Sequence, residues 1–279
     1  MIRYPSVKLN LGLRVLRKRP DGFHDLETLF IPYPGVHDTL EIITGDDYSR
    51  TLAGIRERYG GGQVAQAISA DGRLMVTLAR KKGIDWDPLK DLTVRAWEAL
   101  AADFDLPPTK IFLEKGAPVG AGLGGGSSDA AATLQMLNDL FGLGLSTEAL
   151  AAYAARLGSD CAFFVYGRPM FGEGRGEILT PFDIDLSAYD IRLVVPEGIA
   201  VSTAEAYRGI VPGIPEKPLR EVLGQGIGTW KEELVNDFER TVFAVHPRLA
   251  ELKQQLYEDG AVYAAMSGSG SALFGLFPG

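Results

Sequence analysis

The order of periodic segments predicts an α+β fold rather than a regular alternation of strand and helix. Period-two segments dominate the first third of the chain. Segments of 3.6-residue spacing fill the middle, and the last third mixes the two. At 279 residues, 46% hydrophobic and 23% charged, the chain has the composition of an ordinary globular protein. That length allows one large or two modest domains. The boundary is expected between 142 and 176, giving domains of 1–155 and 156–279.

The first element is "VKLNLGLRVL". Val7, Leu9, Leu11 and Leu13 fall on one face, and Lys8, Asn10, Gly12 and Arg14 on the other, as in a half-buried strand. Pro20, Asp21 and Gly22 then read as a tight turn. Strands are expected over 37–44 and 72–80, with a glycine-rich, hairpin-like stretch around 60–62. The segment 91–104 has helical spacing, with Leu92, Ala96, Leu100 and Phe104 on one face, and Pro107 and Pro108 end it. A short strand over 110–116 leads to a glycine-rich loop and a helix over 127–140. A second helix, 146–158, has Ser146 as its cap and Gly158 as its stop. Residues 160–167 form a short apolar run, and 191–198 a buried-type strand. Proline and glycine make 212–228 read as a mobile loop. Two helical pieces broken at Pro247 follow, and the C-terminal stretch reads as strand, Gly-Ser turn, strand.

The formal net charge is −8. An acidic chain lacks the basic field that a nucleic-acid or membrane surface needs, so neither partner is expected. Cys161 is the single cysteine, which precludes an internal disulfide and suits a reducing compartment. No leader pattern opens the sequence and no apolar run approaches a membrane span, so a cytoplasmic protein is expected. With three histidines and one cysteine scattered along the chain, a zinc site is not expected.

The most informative stretch is "PVGAGLGGGSSDAAA", beginning at Pro118. Glycine lets backbone N–H groups approach a ligand closely. A helix starting just beyond adds unpaired donors and a partial positive end. Together they suit a phosphate. The alternative is a flexible turn before a Ser-capped helix. The stretch lacks the Gly-Lys-Ser/Thr ending of a P-loop, and no βαβ unit surrounds it, which disfavours a dinucleotide fold. Asp129, in the first helical turn, is expected to point away from an anion.

This stretch resembles the second motif of the GHMP kinases, Pro-x-x-x-Gly-Leu-Gly followed by three small residues. "VKLNLGLRVLRKRPDGFHDLETLF", "LGSDCAFFVYGRPMFGEGRGEIL" and "MSGSGSALFG" extend the resemblance over nearly the whole chain, in family order. It is weakest at about 40–90 and 205–245. The resemblance implies a two-domain GHMP kinase fold with the active site in the interdomain cleft. Within the family it points to the branch that phosphorylates a cytidyl-linked methylerythritol in the non-mevalonate route to isoprenoid precursors. A sister kinase for a sugar, homoserine or mevalonate would keep the glycine loop and lack "PDGFH".

By the same resemblance, Pro118, Gly120, Gly122, Leu123, Gly124, Gly125, Gly126, Ser127 and Ser128 hold the ATP phosphates. Lys8 sits beside the acceptor hydroxyl, where a cation would favour the developing charge. Its bland alternative is a solvated strand face. Asp160 is implied as the base, and from spacing alone it reads as a helix cap; one oxygen capping while the other faces substrate would satisfy both. Asn10, Phe23, His24, Phe30 and Thr203 are implied for the acceptor, with His24 reading the cytosine edge and Phe23 stacking on it. Phe30 offers a second plane or a core aromatic. Ser202 adjoins Thr203, and Lys115 lies near where the family contacts nucleotide. The Gly268–Ser269–Gly270 turn packs beside the phosphate loop in the family reading. Mg²⁺ is implied as the companion of ATP, held by phosphates and water, with no protein ligand assigned. His37 and His246 match no pattern and read as surface or core.

Overall fold

A computed structural model describes residues 1–45 and 47–279. In chain order it begins with β1 (Ile2–Arg3), β2 (Ser6–Lys18), β3 (His24–His37), β4 (Thr39–Thr44), α1 (Arg50–Arg58), β5 (Val64–Ile68) and β6 (Leu74–Arg80). Then come α2 (Leu92–Ala101), β7 (Thr109–Lys115), α3 (Gly125–Phe141), α4 (Thr147–Leu157) and α5 (Cys161–Tyr166). The remainder holds β8 (Met170–Glu173), β9 (Ile178–Pro181), β10 (Tyr189–Val194), α6 (Thr203–Tyr207) and α7 (Leu219–Gly224). It closes with α8 (Trp230–Glu233), α9 (Phe238–Val245), α10 (Pro247–Glu258), β11 (Tyr263–Met266) and β12 (Leu273–Pro278). No helix among the described residues is long and apolar enough to cross a membrane.

The chain forms two compact units. The first comprises Met1–Val7, Tyr33–Pro118 and Gly124–Gly167; the second comprises Lys8–Pro32, Val119–Leu123 and Arg168–Gly279. This interleaving differs from the contiguous division at residue 155 read from the sequence. Its cause is strand pairing: β3 runs antiparallel to β8, with Thr28 opposite Gly172 and Phe30 opposite Met170. An early strand is thereby committed to a late one.

The first unit is built on a five-stranded sheet of order β1-β4-β7-β6-β5, in which only β6 and β7 run parallel. Its core draws on Ile42, Val76, Leu78, Ile111 and Leu113 with Leu134 and Leu137 of α3, all buried. The β5–β6 hairpin closes at Ser69–Leu74, not at 60–62. The Ser69 N–H donates to the Leu74 carbonyl at 2.8 Å, and Gly72 takes a φ of +72° in the turn. Helix α1 carries only Leu52 and Ile55 as large apolar residues, a short signal. Its start is fixed by Glu41, 3% exposed, whose Oε2 accepts from the Ser49 hydroxyl at 2.6 Å and the Thr51 N–H at 2.9 Å.

The second unit holds two sheets, β2-β3-β8-β9 and β10-β12-β11. A core of Val15, Phe238, Val242, Leu249, Met266 and Leu273 lies beside the latter. The stretch expected to be a mobile loop contains α7. Leu219, Val222 and Leu223 of that helix are buried, so proline and glycine at its flanks mark helix boundaries rather than looseness. The expected break at Pro247 separates α9 from α10.

Candidate active site

Helix α3 begins at Gly125, two residues earlier than its apolar pattern indicates. Gly124 precedes it in the left-handed region, at φ +72°, and no side chain caps it. The first helical bond runs from the Ser128 N–H to the Gly124 carbonyl, at 2.9 Å. The N–H groups of Gly125, Gly126 and Ser127 therefore have no acceptor among the described residues. The fold itself does not require glycine at 125 or 126. A Cβ there would meet its nearest atom at 3.5 Å, an ordinary contact. What the missing side chains preserve is room around three unpaired donors.

Gly122 is glycine for another reason. Its φ is +76°, and a Cβ would overlap the Ser267 carbonyl. The loop here is knitted into the second unit. The Lys8 N–H donates to the Leu123 carbonyl at 2.9 Å, and the Ala272 N–H to the Ala121 carbonyl at 3.1 Å. Leu123 is buried as the loop's anchor, Gly120 stands in open space at φ +73°, and Pro118 is half-buried where the loop begins.

In the first unit, the Cys161 thiol and the Ser127 hydroxyl both lie beside Gly158, where a Cβ would come within 3.2 Å of the sulfur and 4.0 Å of the oxygen. Asp160 occupies the N-cap position of α5 but makes no side-chain cap bond, so the capping role read from spacing is not realised. Burial pushes the Cys161 thiol up to about 11, so it stays protonated near neutral pH. Ser128 is 4% exposed and Ser127 half-buried.

Lys115 does not line an open surface. Its side chain is 4% exposed, and its ammonium bridges the carboxylates of Asp38 and Asp129, the latter at 2.5 Å. Burial alone would lower its pKa, but the two carboxylates more than offset this, and the ammonium is held above its ordinary value. For Asp129, burial raises the carboxyl well above its ordinary value, Lys115 draws it back, and Asp38 adds to the rise. Asp129 thus turns inward, as expected, into a cluster that sequence reading missed.

In the second unit, β2 is buried on both faces, not one. Lys8 and Asn10 are each 2% exposed. Removing an ammonium from water costs several kcal/mol unless acceptors surround it. Lys8 Nζ donates to Asn10 Oδ1 at 2.5 Å and to the Gly122 carbonyl at 2.8 Å. Asn10 Nδ2 donates to Thr28 Oγ1 at 2.9 Å, and Thr28 donates to the Gly12 carbonyl at 2.6 Å. The Ser267 hydroxyl donates to the Gly122 carbonyl at 3.1 Å. Asn236 Nδ2 donates to the carbonyls of Met266 and Gly268, each at 2.8 Å. A Cβ on Gly268 would come within 3.2 Å of Lys8 Nζ, so the Gly-Ser turn closes directly over the lysine.

Of the residues expected to hold an acceptor, Phe23 is 53% exposed, with the Arg175 guanidinium 4.8 Å from its ring centroid. His24 stacks on Tyr207, with centroids 4.6 Å apart and planes at 20°. Burial, then the charge of Lys18, lowers its pKa, which favours the neutral imidazole. Thr203 is exposed on α6, one helical turn before Tyr207, and the Ser202 hydroxyl caps that helix by accepting from the Glu205 N–H at 3.1 Å. Phe30 takes the core alternative: it is 2% exposed, its ring lies against Gly172, and its centroid is 5.6 Å from Lys8 Nζ. His246 pairs with Glu205 at 2.8 Å, and His37 packs edge-on against Tyr4.

The pattern of the GHMP kinases N terminal domain matches residues 91–168, and that of the GHMP kinases C terminal domain matches 219–279. The glycine helix start falls in the first match and the Gly-Ser turn in the second, which is the class the fold and site define. A 4-diphosphocytidyl-2-C-methyl-D-erythritol kinase of Parabacteroides distasonis is 43% identical over 277 residues, covering 99% of this chain and 92% of its own. A namesake from Bacteroides fragilis matches at the same identity and coverage. A crystal structure of 4-(cytidine 5'-diphospho)-2C-methyl-D-erythritol kinase superposes with a TM-score of 0.73 at 32% identity, over 99% of this chain and 90% of that one. The chain belongs to the 4-diphosphocytidyl-2-C-methyl-D-erythritol kinase family of GHMP kinases. A homoserine kinase of Cytophaga hutchinsonii shares the fold, with a TM-score of 0.65 at 15% identity over 98% of this chain and 85% of its own.

Proposed function

We propose that this chain transfers the γ-phosphoryl group of ATP to the 2-hydroxyl of 4-diphosphocytidyl-2-C-methyl-D-erythritol, in the cytoplasm, as a step toward isoprenoid precursors. The observation that carries the donor half is the start of α3, where three backbone N–H groups stand unpaired between glycines that the fold itself does not need. The N–H groups of Gly125, Gly126 and Ser127 hold the polyphosphate, with the helix dipole behind them. Full-length identity to kinases of that name supports the acceptor.

Asp160 accepts the proton of the 2-hydroxyl as its oxygen bonds the γ-phosphorus, and the bond from that phosphorus to the β,γ-bridging oxygen breaks to release ADP. Its carboxylate stands at the start of α5 and makes no cap bond to that helix. Lys8 stabilises charge on the transferred group; burial strengthens this, because few solvent dipoles compete. Phe23 stacks on the cytosine, neutral His24 reads its edge, and Asn10 and Thr203 complete the acceptor contacts. No group of three His, Cys, Asp or Glu side chains suited to a metal occurs among the described residues. Mg²⁺ would come with the nucleotide, held by its phosphates and water, with the Ser127 and Ser128 hydroxyls as outer contacts. It supplies charge neutralisation on the phosphates.

The test is ADP release with Mg-ATP and a panel of acceptors: the cytidyl methylerythritol, methylerythritol phosphate, galactose, homoserine and mevalonate. Turnover confined to the first is expected. Turnover with another acceptor instead would overturn the acceptor assignment, and silence across the panel would overturn the kinase.

A further inference from the structure

Three buried charges lie behind the phosphate loop, and the transfer chemistry uses none of them. Asp38 follows β3, Lys115 ends β7, and Asp129 is in the first turns of α3. Their side chains are 0%, 4% and 1% exposed. Asp38 Oδ1 accepts from the N–H groups of Gly116 and Ala117, both at 2.7 Å, which lead from β7 into the loop. Its other oxygen takes the ammonium of Lys115, and the same ammonium reaches Asp129 Oδ2 at 2.5 Å. The two ends of the loop are thus joined through a single cation.

Fold stability alone does not explain this arrangement. Buried ion groups are commonly no better than well-packed apolar side chains of equal volume. Asp129 Oδ1 also has no hydrogen-bond partner, an unfavourable state for a buried oxygen. Gly125 lies over the cluster. A Cβ placed there would be 3.7 Å from both Asp38 Oδ2 and Lys115 Nζ. The cluster therefore backs the first residue of the helix whose N–H groups face the anion.

We propose that Asp38, Lys115 and Asp129 form a buried clamp that fixes both ends of the glycine loop, so that the α3 N–H groups are in place before ATP arrives. Lys115 is a positioning residue: it acts through the loop rather than by touching nucleotide. The proposal deepens the ATP assignment above and rests on it for its kinetic readout. With the clamp open, ATP has to order the loop, and the loss falls on ATP binding alone.

Lys115→Met leaves two buried carboxylates facing each other and risks failing to fold, so the informative variant is Lys115→Met/Asp38→Ala/Asp129→Asn, which buries no formal charge and removes the acceptor of the Gly116 and Ala117 amides. This triple variant is expected to fold and to raise KM for Mg-ATP at least tenfold, with KM for the cytidyl acceptor within twofold of wild type. A folded triple variant with wild-type KM for ATP would overturn the clamp, as would equal losses for both substrates. Amide exchange supplies a readout independent of activity. In the wild-type chain the Gly116 and Ala117 amides are expected to be protected, and in the variant to exchange as an open loop does. Fast exchange of these amides in the wild type would sink the clamp even if the kinase assignment stood. Protection without any ATP turnover would leave the clamp and remove the kinase.

Discussion

Replacing Gly126 by alanine separates what the fold needs from what the ligand needs. Gly126 is the second residue of α3, exposed, with a helical φ, and a Cβ there would meet only Leu92 Cδ1, at 3.5 Å. Nothing in the protein opposes the methyl group. Alanine is favoured over glycine in a helix by about 0.5–1 kcal/mol, so the thermal midpoint should rise by roughly 1–4 °C for a chain of this size. The same methyl leans toward the helix N-terminus, as every helical Cβ does, and so toward the three unpaired N–H groups. A hydrogen bond to a charged group contributes about 1.5–3 kcal/mol, so displacing one phosphate contact should raise KM for ATP roughly ten- to hundredfold. The assay is ADP release against ATP concentration, paired with a thermal melt. A variant that melts higher and keeps its KM for ATP would refute the phosphate cradle.

Other expectations follow from single side chains. Asp160→Asn should lower kcat by a factor of about 100 or more, with ATP affinity within twofold; unchanged kcat would remove the base. His24→Ala should raise KM for the cytidyl acceptor and leave that for ATP alone. The His24 pKa is lowered by burial and Lys18, so its neutral form persists below the ordinary histidine range. The acceptor KM should accordingly rise only on acidification below the ordinary histidine range, whereas a rise centred above that range would contradict the neutral reader. Cys161, its thiol pushed up to about 11 by burial, should react with iodoacetamide at pH 8 at least a hundredfold more slowly than a free thiol; rapid labelling would refute its buried, protonated state.

Local periodicity in the sequence was enough to reveal β2, β4, β6, β7, α2 and α4, and glycine density was enough to mark the loop that opens α3. Chain pairing was not legible. Pro32 and Pro34 interrupt the alternation of β3, and nothing local says that β3 will join β8 and draw residues 8–32 into the second unit. Helix α1 escaped notice because a buried carboxylate elsewhere in the chain, Glu41, anchors its start. The alternation at Lys8 and Asn10 was visible, yet alternation alone means one face in water. Both are buried because the Gly-Ser turn lies over them, a contact between residues more than 250 apart in sequence, such as Asn10 and Ser267. The glycines read alike in the sequence and differ in the structure: Gly122 answers to backbone crowding, Gly124 to a left-handed cap, and Gly125 and Gly126 to the space in front of the helix. The Asp38–Lys115–Asp129 cluster joins three segments and leaves no local signature.

The most direct test of the account is the phosphorus spectrum of the product formed from ATP and the cytidyl methylerythritol by the wild-type chain. The acceptor's C2 carries no hydrogen. Phosphorylation of the 2-hydroxyl should therefore give one new phosphomonoester resonance without coupling to a proton on the ester carbon. A doublet or triplet would place the phosphate on a secondary or primary hydroxyl and contradict the assigned acceptor geometry. The absence of any new phosphomonoester would contradict the assignment of this chain as the kinase.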